Sequence, residues 1–205
     1  MVSLRLLVTA ALAVATPLVS ALPAVPTAQL TLTPQQIVDS IKTLSGKSQA
    51  LQAPAQSITI VNGPLIIVGL GPFPPLITGF TDIVSTSTVF ISQIMGIPPI
   101  EDEDEATAIA NAFREFVRIH QALLNILIGK AGLFNTVPFI GGPVAAVLRQ
   151  VEKVVDTIAF GLIDIIDVGL PKQRIQSDGN SLSSSLTICI NAYEGLAINN
   201  KPKQA

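Results

Sequence analysis

The chain has few of the residues on which most protein chemistry depends. Among its 205 residues are one cysteine, one histidine, one tyrosine and no tryptophan, and only 13% are charged. Zinc sites are built mainly from Cys and His, so the usual ligands of a zinc site are too few here. A single Cys189 cannot form a disulfide framework within the chain. The formal net charge of −2 gives no electrostatic basis for binding nucleic acid.

The first residues have the features of a secretory signal peptide. Arg5 precedes an apolar run from Leu6 to Val19, and Val19-Ser20-Ala21 offers a cleavage site of small residues. The end of the chain is polar and lacks the apolar tail of a GPI signal. We expect a secreted, extracellular protein without a GPI anchor, with association with the cell wall left open. The expected divisions are a signal peptide (1–21), an extended leader (22–32), one domain (33–198) and a polar tail (199–205).

Two long stretches contain no charged residue, 48–81 and 131–148. Both are interrupted by several prolines, which remove backbone donors that a spanning helix could not replace in lipid. We therefore expect no transmembrane segment.

Helical spacing of apolar residues recurs five times after residue 32. Thr33, Pro34 and Gln36 form a capping-box signature at the first start, and the carboxylates of 101–105 suit the positive end of the third helix. The predicted helices begin near 34, 74, 101, 143 and 171. This pattern predicts an all-α fold, a single five-helix antiparallel bundle that could enclose a central hydrophobic cavity.

Between the first two helices, 57–68 holds two β-branched runs around Asn62-Gly63, which is a hairpin signal. An isolated hairpin is marginally stable, and no third strand lies nearby in the sequence. We favour an ordered irregular connection over a true hairpin.

The fourth helix has more apolar surface than packing requires. From Val144 to Ile166, the charged residues fall within an arc of about 120°, and even that arc carries Phe160 and Ile163. A larger core is one explanation; a lipid-binding interior is the other. Candidate cavity residues on the inward stripes are Leu44, Phe80, Ile83, Ile91, Phe113, Phe116, Leu123, Leu127, Val151, Ile158, Leu182 and Leu186. Ser48, Ser87, His120 and Ser185 interrupt these stripes and are candidates for binding a polar head group.

An enzymatic function has little support. His120 and Cys189 lie on inward stripes of different helices, so a Cys–His pair is geometrically conceivable, although such residues are more often core residues. The chain contains no G-x-S-x-G motif, and the acidic run 101–105 lacks the pattern of an EF-hand loop. We expect no catalytic residue, no metal and no cofactor, and a hydrolase remains a distant alternative.

Several segments resemble the fungal hydrophobic surface-binding protein A and antigenic cell-wall galactomannoprotein family. They are 113–130, Gly132-Leu133-Phe134, Pro138-Phe139-Ile140-Gly141, 71–74, 79–84 and 48–51. The resemblance implies a secreted five-helix domain that adsorbs to hydrophobic surfaces and, in some members, encloses a fatty acid. It also implies secreted esterases as partners. A structural or antigenic wall component without a specific ligand is the alternative.

Two connections carry large apolar residues, which is unusual for surface loops. They contain Phe73 in the first connection and Leu133, Phe134, Phe139 and Ile140 in the second. We hypothesise that one or both gate a cavity or touch hydrophobic surfaces, with burial under the bundle ends as the alternative.

Overall fold

The computed structural model describes residues 32–134, 141–167 and 169–199, and all their side chains except those of 64, 66, 67, 134 and 196–199. The expected signal peptide, most of the leader and nearly all of the polar tail lie outside these ranges. Five long helices and one short helix are present in the described part of the chain: α1 (Pro34–Ala50), α2 (Gln52–Gln56), α3 (Phe73–Ile94), α4 (Glu103–Ala131), α5 (Gly141–Ile165) and α6 (Gly169–Asn199).

The predicted helix starts are close to the observed ones. Thr33 caps α1 in a full capping box with Gln36, and the side chain of Asp102 accepts a hydrogen bond from the Glu105 amide at the start of α4. The helices α5 and α6 each begin two residues before the proline that was predicted to start them. Both prolines still lie in the first turn, where the backbone amide has no partner within the helix and its loss is tolerated. The prediction of an all-α fold is confirmed.

The Asn62-Gly63 segment is not a hairpin, and an irregular connection is confirmed. The Asn62 side chain accepts from the Thr59 amide at 2.7 Å and donates to the Ser57 carbonyl at 2.7 Å, and a short 3-10 helix, Gly63–Val68, follows. These local bonds replace the ladder that a partner strand would supply. Gly71 completes the connection with a positive φ of 83°, where a Cβ would lie 2.9 Å from the Asn62 carbonyl oxygen.

The long helices form a closed ring in the spatial order α1, α3, α5, α6, α4. Each neighbouring pair, including α4 with α1, is in contact. Consecutive helices alternate in direction, as an antiparallel bundle requires. The ring nevertheless contains parallel neighbours: Arg114 of α4 pairs with Asp178 of α6, and Tyr193, further along α6, bonds the Leu127 carbonyl of α4.

Parallel neighbours follow from the ring order. The helix α4 runs in the same direction as α1 and α6, and it lies between these two helices rather than beside α3 and α5. Five helices arranged in this way surround a common axis, which a pair of stacked layers does not provide. The interior is one continuous apolar cluster to which all five long helices contribute. No helix in the described part of the chain is long and apolar enough to cross a membrane.

The two ends of the ring are closed differently. At one end, hereafter the lower end, the Ile100 amide donates to the Ile165 carbonyl at 2.7 Å, which joins the α3–α4 and α5–α6 connections. At the other, hereafter the upper end, Lys130 donates to the Ile58 carbonyl at 2.8 Å. The upper end therefore brings α2 and the 57–72 connection over the C-terminal part of α4.

Close packing at the upper end depends on Gly79. A Cβ at this position would lie 2.3 Å from Cδ2 of Leu51, so α3 approaches the end of α1 through a missing side chain. We expect Gly79→Ala to destabilise the fold by about 1 to 2 kcal/mol, because overpacking outweighs the gain in helix propensity. Urea denaturation measures the change.

Gly46 on α1 is the matched control for this prediction. Its Cβ would have no neighbour within 4 Å, so Gly46→Ala should stabilise by up to about 1 kcal/mol. Equal effects of the two substitutions would show that Leu51 moves aside without cost.

Candidate functional site

Eleven of the twelve predicted cavity residues are buried in the common apolar cluster. They come from all five helices of the ring, so the sequence stripes do converge on one interior. The buried residues are Leu44 of α1, Phe80 and Ile83 of α3, Phe113, Phe116, Leu123 and Leu127 of α4, Val151 and Ile158 of α5, and Leu182 and Leu186 of α6.

Ile91 is the exception among these twelve. It is half-buried and lines a groove on the outer surface between α3 and α5, together with Met95 and Phe160. Phe90 takes the expected inward position and is buried. The signal was present in the sequence, since Ile83, Ser87, Phe90 and Ile94 continue the alternating spacing of four and three residues.

The four predicted polar residues fall into two groups. Ser48, Ser87 and His120 are fully buried, but Ser185 is only half-buried. The Ser185 hydroxyl donates to the Ser181 carbonyl at 3.1 Å and accepts from the Gln121 amide at 3.0 Å, so it belongs to a surface network between α4 and α6. Three of the four predicted polar side chains therefore lie in the interior.

Ser48 and His120 form a hydrogen-bonded pair inside the ring. The Ser48 hydroxyl lies 2.8 Å from Nδ1 of His120 and so links the last turn of α1 to α4. Phe80 and Phe116 flank the imidazole with ring centroids at 6.3 and 5.4 Å. The imidazole is thus held between two helices and two aromatic rings, which fixes its orientation.

Two buried polar atoms in this interior have no hydrogen-bond partner among the described residues, Nε2 of His120 and the hydroxyl oxygen of Ser87. Burial lowers the pKa of His120 to about 4, so the imidazole is neutral at neutral pH. When the Ser48 hydroxyl donates to Nδ1, Nε2 carries the proton and is a donor. Buried donors normally have partners, so these two atoms are candidates for a hydrogen bond to a polar ligand group or an ordered water.

The two atoms lie at different depths along the ring. Ser87 is seven residues beyond Phe80 on α3, which corresponds to about 10 Å at the helical rise. His120, which contacts Phe80, is nearer the upper end. An elongated ligand can therefore meet polar groups at two levels of an otherwise apolar interior.

The conceivable Cys–His pair is not formed. His120 bonds Ser48, whereas the Cys189 thiol faces the Leu124 carbonyl at 4.0 Å, and burial raises the pKa of the thiol to about 12. A thiol in that state is a poor nucleophile. In the described part of the chain, no three potential metal ligands lie together.

The first connection exposes apolar residues other than the one that the sequence analysis named. Phe73 is buried as the first residue of α3, as the alternative of burial expected, because the helix start turns it into the core. Leu133 is half-buried, and the side chain of Phe134, with Phe139 and Ile140, lies outside the described part. Five large apolar side chains of the 57–72 connection are exposed instead: Ile60, Val61, Leu65, Val68 and Leu70.

Two solved structures share this fold. AfMP4p in complex with palmitic acid is 14% identical, with a TM-score of 0.69 over 78% of this chain and 99% of that chain. Ligand binding domain 1 of the Penicillium marneffei MP1 protein, complexed with arachidonic acids, is 14% identical, with a TM-score of 0.64 over 76% of this chain and 94% of that chain. No family model and no curated protein sequence matches the chain.

At this identity the likeness shows the fold alone. Both structures are of fungal antigenic cell-wall mannoproteins, so the resemblance noted in the sequence is confirmed at the level of the fold. Their bound molecules are single-chain fatty acids, which is a property of those two proteins.

Proposed function

We propose that this protein is a secreted, non-enzymatic carrier of fatty acids, which it holds along the axis of the five-helix ring. One observation carries the proposal: His120 Nε2 is a buried polar atom without a partner in the described part of the chain, inside an aliphatic ring of helices. The bound fatty acids of the two structurally similar proteins support the same ligand class. A wall component with a plain core is the competing function.

The apolar interior supplies enough free energy for such a ligand. Each methylene moved from water contributes about 0.8 kcal/mol, so a 16-carbon chain yields on the order of 12 kcal/mol before costs. Association costs roughly 4 to 15 kcal/mol. The acyl chain alone thus reaches useful affinity only when it is nearly fully buried, which an enclosed ring permits.

The carboxyl group needs a polar partner, because an unpaired charge is costly in this interior. The proton on Nε2 of neutral His120 provides one such partner, and the Ser87 hydroxyl, at the deeper level, is an alternative position for the carboxyl group. Ser48 acts indirectly: by donating to Nδ1 it keeps the proton on Nε2. These residues bind rather than react, since a base whose pKa is about 4 takes protons poorly at neutral pH.

Native mass spectrometry of the protein purified from a secreting host tests the ligand class directly. We expect adducts whose masses match fatty acids and disappear after delipidation, and we expect palmitic acid to restore one of them. A delipidated, folded protein that binds neither palmitic nor arachidonic acid would rule out the carrier function.

The head-group interaction predicts a ligand-dependent effect of His120→Leu. Removing the Nε2 donor should weaken palmitic acid binding about tenfold, the effect of one lost hydrogen bond to a carboxyl group. Binding of hexadecanol should change by less than threefold, because its hydroxyl can donate or accept elsewhere. Calorimetric titration of both ligands measures the difference.

Ser185→Ala is the control for this comparison, since Ser185 lies in the surface network and should affect neither ligand. Ser48→Ala should reproduce part of the His120→Leu effect, because without the Ser48 hydroxyl the imidazole is no longer held in the tautomer that carries its proton on Nε2. If His120→Leu, Ser48→Ala and Ser87→Ala all bind acid and alcohol as the native protein does, the head group lies in solvent.

We propose further that the upper end adsorbs to hydrophobic surfaces. The 57–72 connection has no charged residue and exposes five large apolar side chains, with Val61 86% exposed. Apolar patches of this kind on soluble proteins often mark interaction sites. This surface lies beside the upper end of the ring, so adsorption and ligand entry would share one end of the molecule.

Adsorption should therefore depend on Val61 and Val68. Replacing both with Ser should lower binding to a wax or polystyrene surface about tenfold, because covering about half of each valine side chain contributes about 0.7 kcal/mol per residue. The matched control replaces Val89 and Ile188, which are similarly exposed on the sides of the ring. Equal losses in the two double variants would argue against a dedicated surface.

A further inference from the structure

A second apolar site lies on the outside of the ring near its lower end. It is a groove of about 480 Å³ between α3 and α5 that reaches the first turn of α6. Met95 and Phe160 on its rim are 73% and 71% exposed, and Ile91 and Ile163 are half-buried in its wall. The volume lies within the range of small-molecule sites, roughly 300 to 1,000 Å³.

Close approach of two helices forms the floor of this groove. Gly161 of α5 faces Ile94 of α3, and a Cβ on Gly161 would lie 2.7 Å from Cδ1 of Ile94. The missing side chain lowers the surface of α5 between Phe160 and Asp164. The groove is thus separate from the interior, and the buried Ile94 forms part of the wall between them.

The lining of this groove differs from that of a second depression on the ring surface. A site of about 290 Å³ between α1 and α3 is lined partly by the hydroxyls of Ser40, Thr43 and Thr86. The α3–α5 groove has a single hydroxyl, that of Thr157, which is already bonded to the Lys153 carbonyl at 2.8 Å. Its other uncharged lining is aliphatic or aromatic, which suits an alkyl chain.

One cation and one anion lie on the groove, Lys172 and Asp164. Within the described ranges, neither makes an ion pair, although other charges pair between helices, such as Lys47 with Asp82 and Arg114 with Asp178. Phe160 adds an exposed aromatic face, which attracts quaternary ammonium groups. The charges of the groove therefore match a head group that carries both signs.

We propose that the α3–α5 groove binds a single-chain zwitterionic lipid. The alkyl chain lies along Ile91, Met95 and Ile163, the anionic group of the head pairs with Lys172, and its ammonium group lies between Asp164 and the face of Phe160. This site is independent of the fatty-acid site inside the ring, and the two can be occupied together.

Dodecylphosphocholine below its micelle concentration is the probe, added to protein already saturated with palmitic acid. We expect a second, saturable site in calorimetry and chemical-shift changes at the methyl groups of Ile91, Met95 and Ile163. Thr157→Trp should fill the groove from its exposed rim and weaken this site at least tenfold. Displacement of palmitic acid without a second site, or shifts confined to other faces, would overturn the proposal.

Charge variants test the zwitterionic assignment with dodecyl phosphate, which lacks the ammonium group, as the comparison ligand. Lys172→Gln should weaken both ligands about threefold, as expected for an exposed ion pair. Asp164→Asn should weaken dodecylphosphocholine about threefold and leave dodecyl phosphate unchanged or tighter. Lys42→Gln, on the exposed face of α1, is the matched control and should affect neither.

Each outcome decides whether the groove binds a zwitterionic lipid, independently of whether the interior binds fatty acid. If Asp164→Asn changes both ligands alike, the site does not recognise a zwitterion. If no probe binds while palmitic acid does, the groove is not a site and the interior function stands. If the probe binds the groove of a protein that rejects palmitic acid, the groove stands alone.

Discussion

Replacing Val151 with Trp should lower the affinity for palmitic acid about a hundredfold while the protein remains folded. Val151 is fully buried on α5, within the cluster to which all five helices contribute. An indole at this position occupies space that an acyl chain along the ring axis would need. Losing burial of three or four methylenes corresponds to about 3 kcal/mol, which gives this fold-change.

Val89→Trp is the matched control, because it makes the same substitution on the exposed face of α3. It should leave the affinity unchanged. Leu123→Trp on α4 should weaken binding as Val151→Trp does. The indole itself destabilises the core by about 1 to 3 kcal/mol, so far-ultraviolet circular dichroism and a thermal melt must accompany the titration. Unchanged affinity in a folded Val151→Trp variant would favour a plain core.

Acidification should destabilise the protein through His120 by about 3 kcal/mol between pH 6.5 and pH 4. The ordinary pKa of the imidazole is 6.5, and burial lowers the pKa in the folded protein to about 4. Below pH 6.5 the unfolded chain therefore binds a proton that the folded chain does not. The stabilisation is complete above pH 6.5 and is lost at about 1.4 kcal/mol per pH unit as the pH falls.

Urea denaturation of the native protein and His120→Leu at several pH values isolates this effect. The difference between the two free energies of unfolding should shrink steadily from pH 6.5 to pH 4 and stay constant above. Asp156 acts in the opposite direction, since burial raises its pKa, but both proteins contain it and it cancels in the difference. A difference that does not vary with pH would mean that His120 has the same pKa in the folded and the unfolded protein, as an imidazole reached by solvent has.

Much of the architecture could be predicted from local patterns. The capping box at Thr33 and the acidic start of α4 are signals within a few residues, and helical spacing placed five helices and their inward stripes. The interior candidates followed from the same spacing. The prediction that Ile91 lies in the interior was wrong. Ile91 and Phe90 are adjacent apolar residues, and the sequence does not show which of them faces the interior until the position of the partner helix is known.

The tertiary structure alone decided which stripes meet. Ser48 and His120 are 72 residues apart, and only the parallel contact of α1 with α4 places the hydroxyl 2.8 Å from the imidazole. Ser185 lies one residue from the α6 stripe of Leu182 and Leu186, and Gln121 of a neighbouring helix bonds it near the surface.

Local sequence determined the helices and their apolar faces, because capping, helix propensity and side-chain periodicity act within one or two turns. It could not determine the ring order or the groove between α3 and α5, because these depend on contacts between distant segments. The close approach at Gly161 and Ile94 and the exposure of Val61 and Val68 are such cases. Whether an apolar residue becomes core, groove or exposed surface is set by what packs against it.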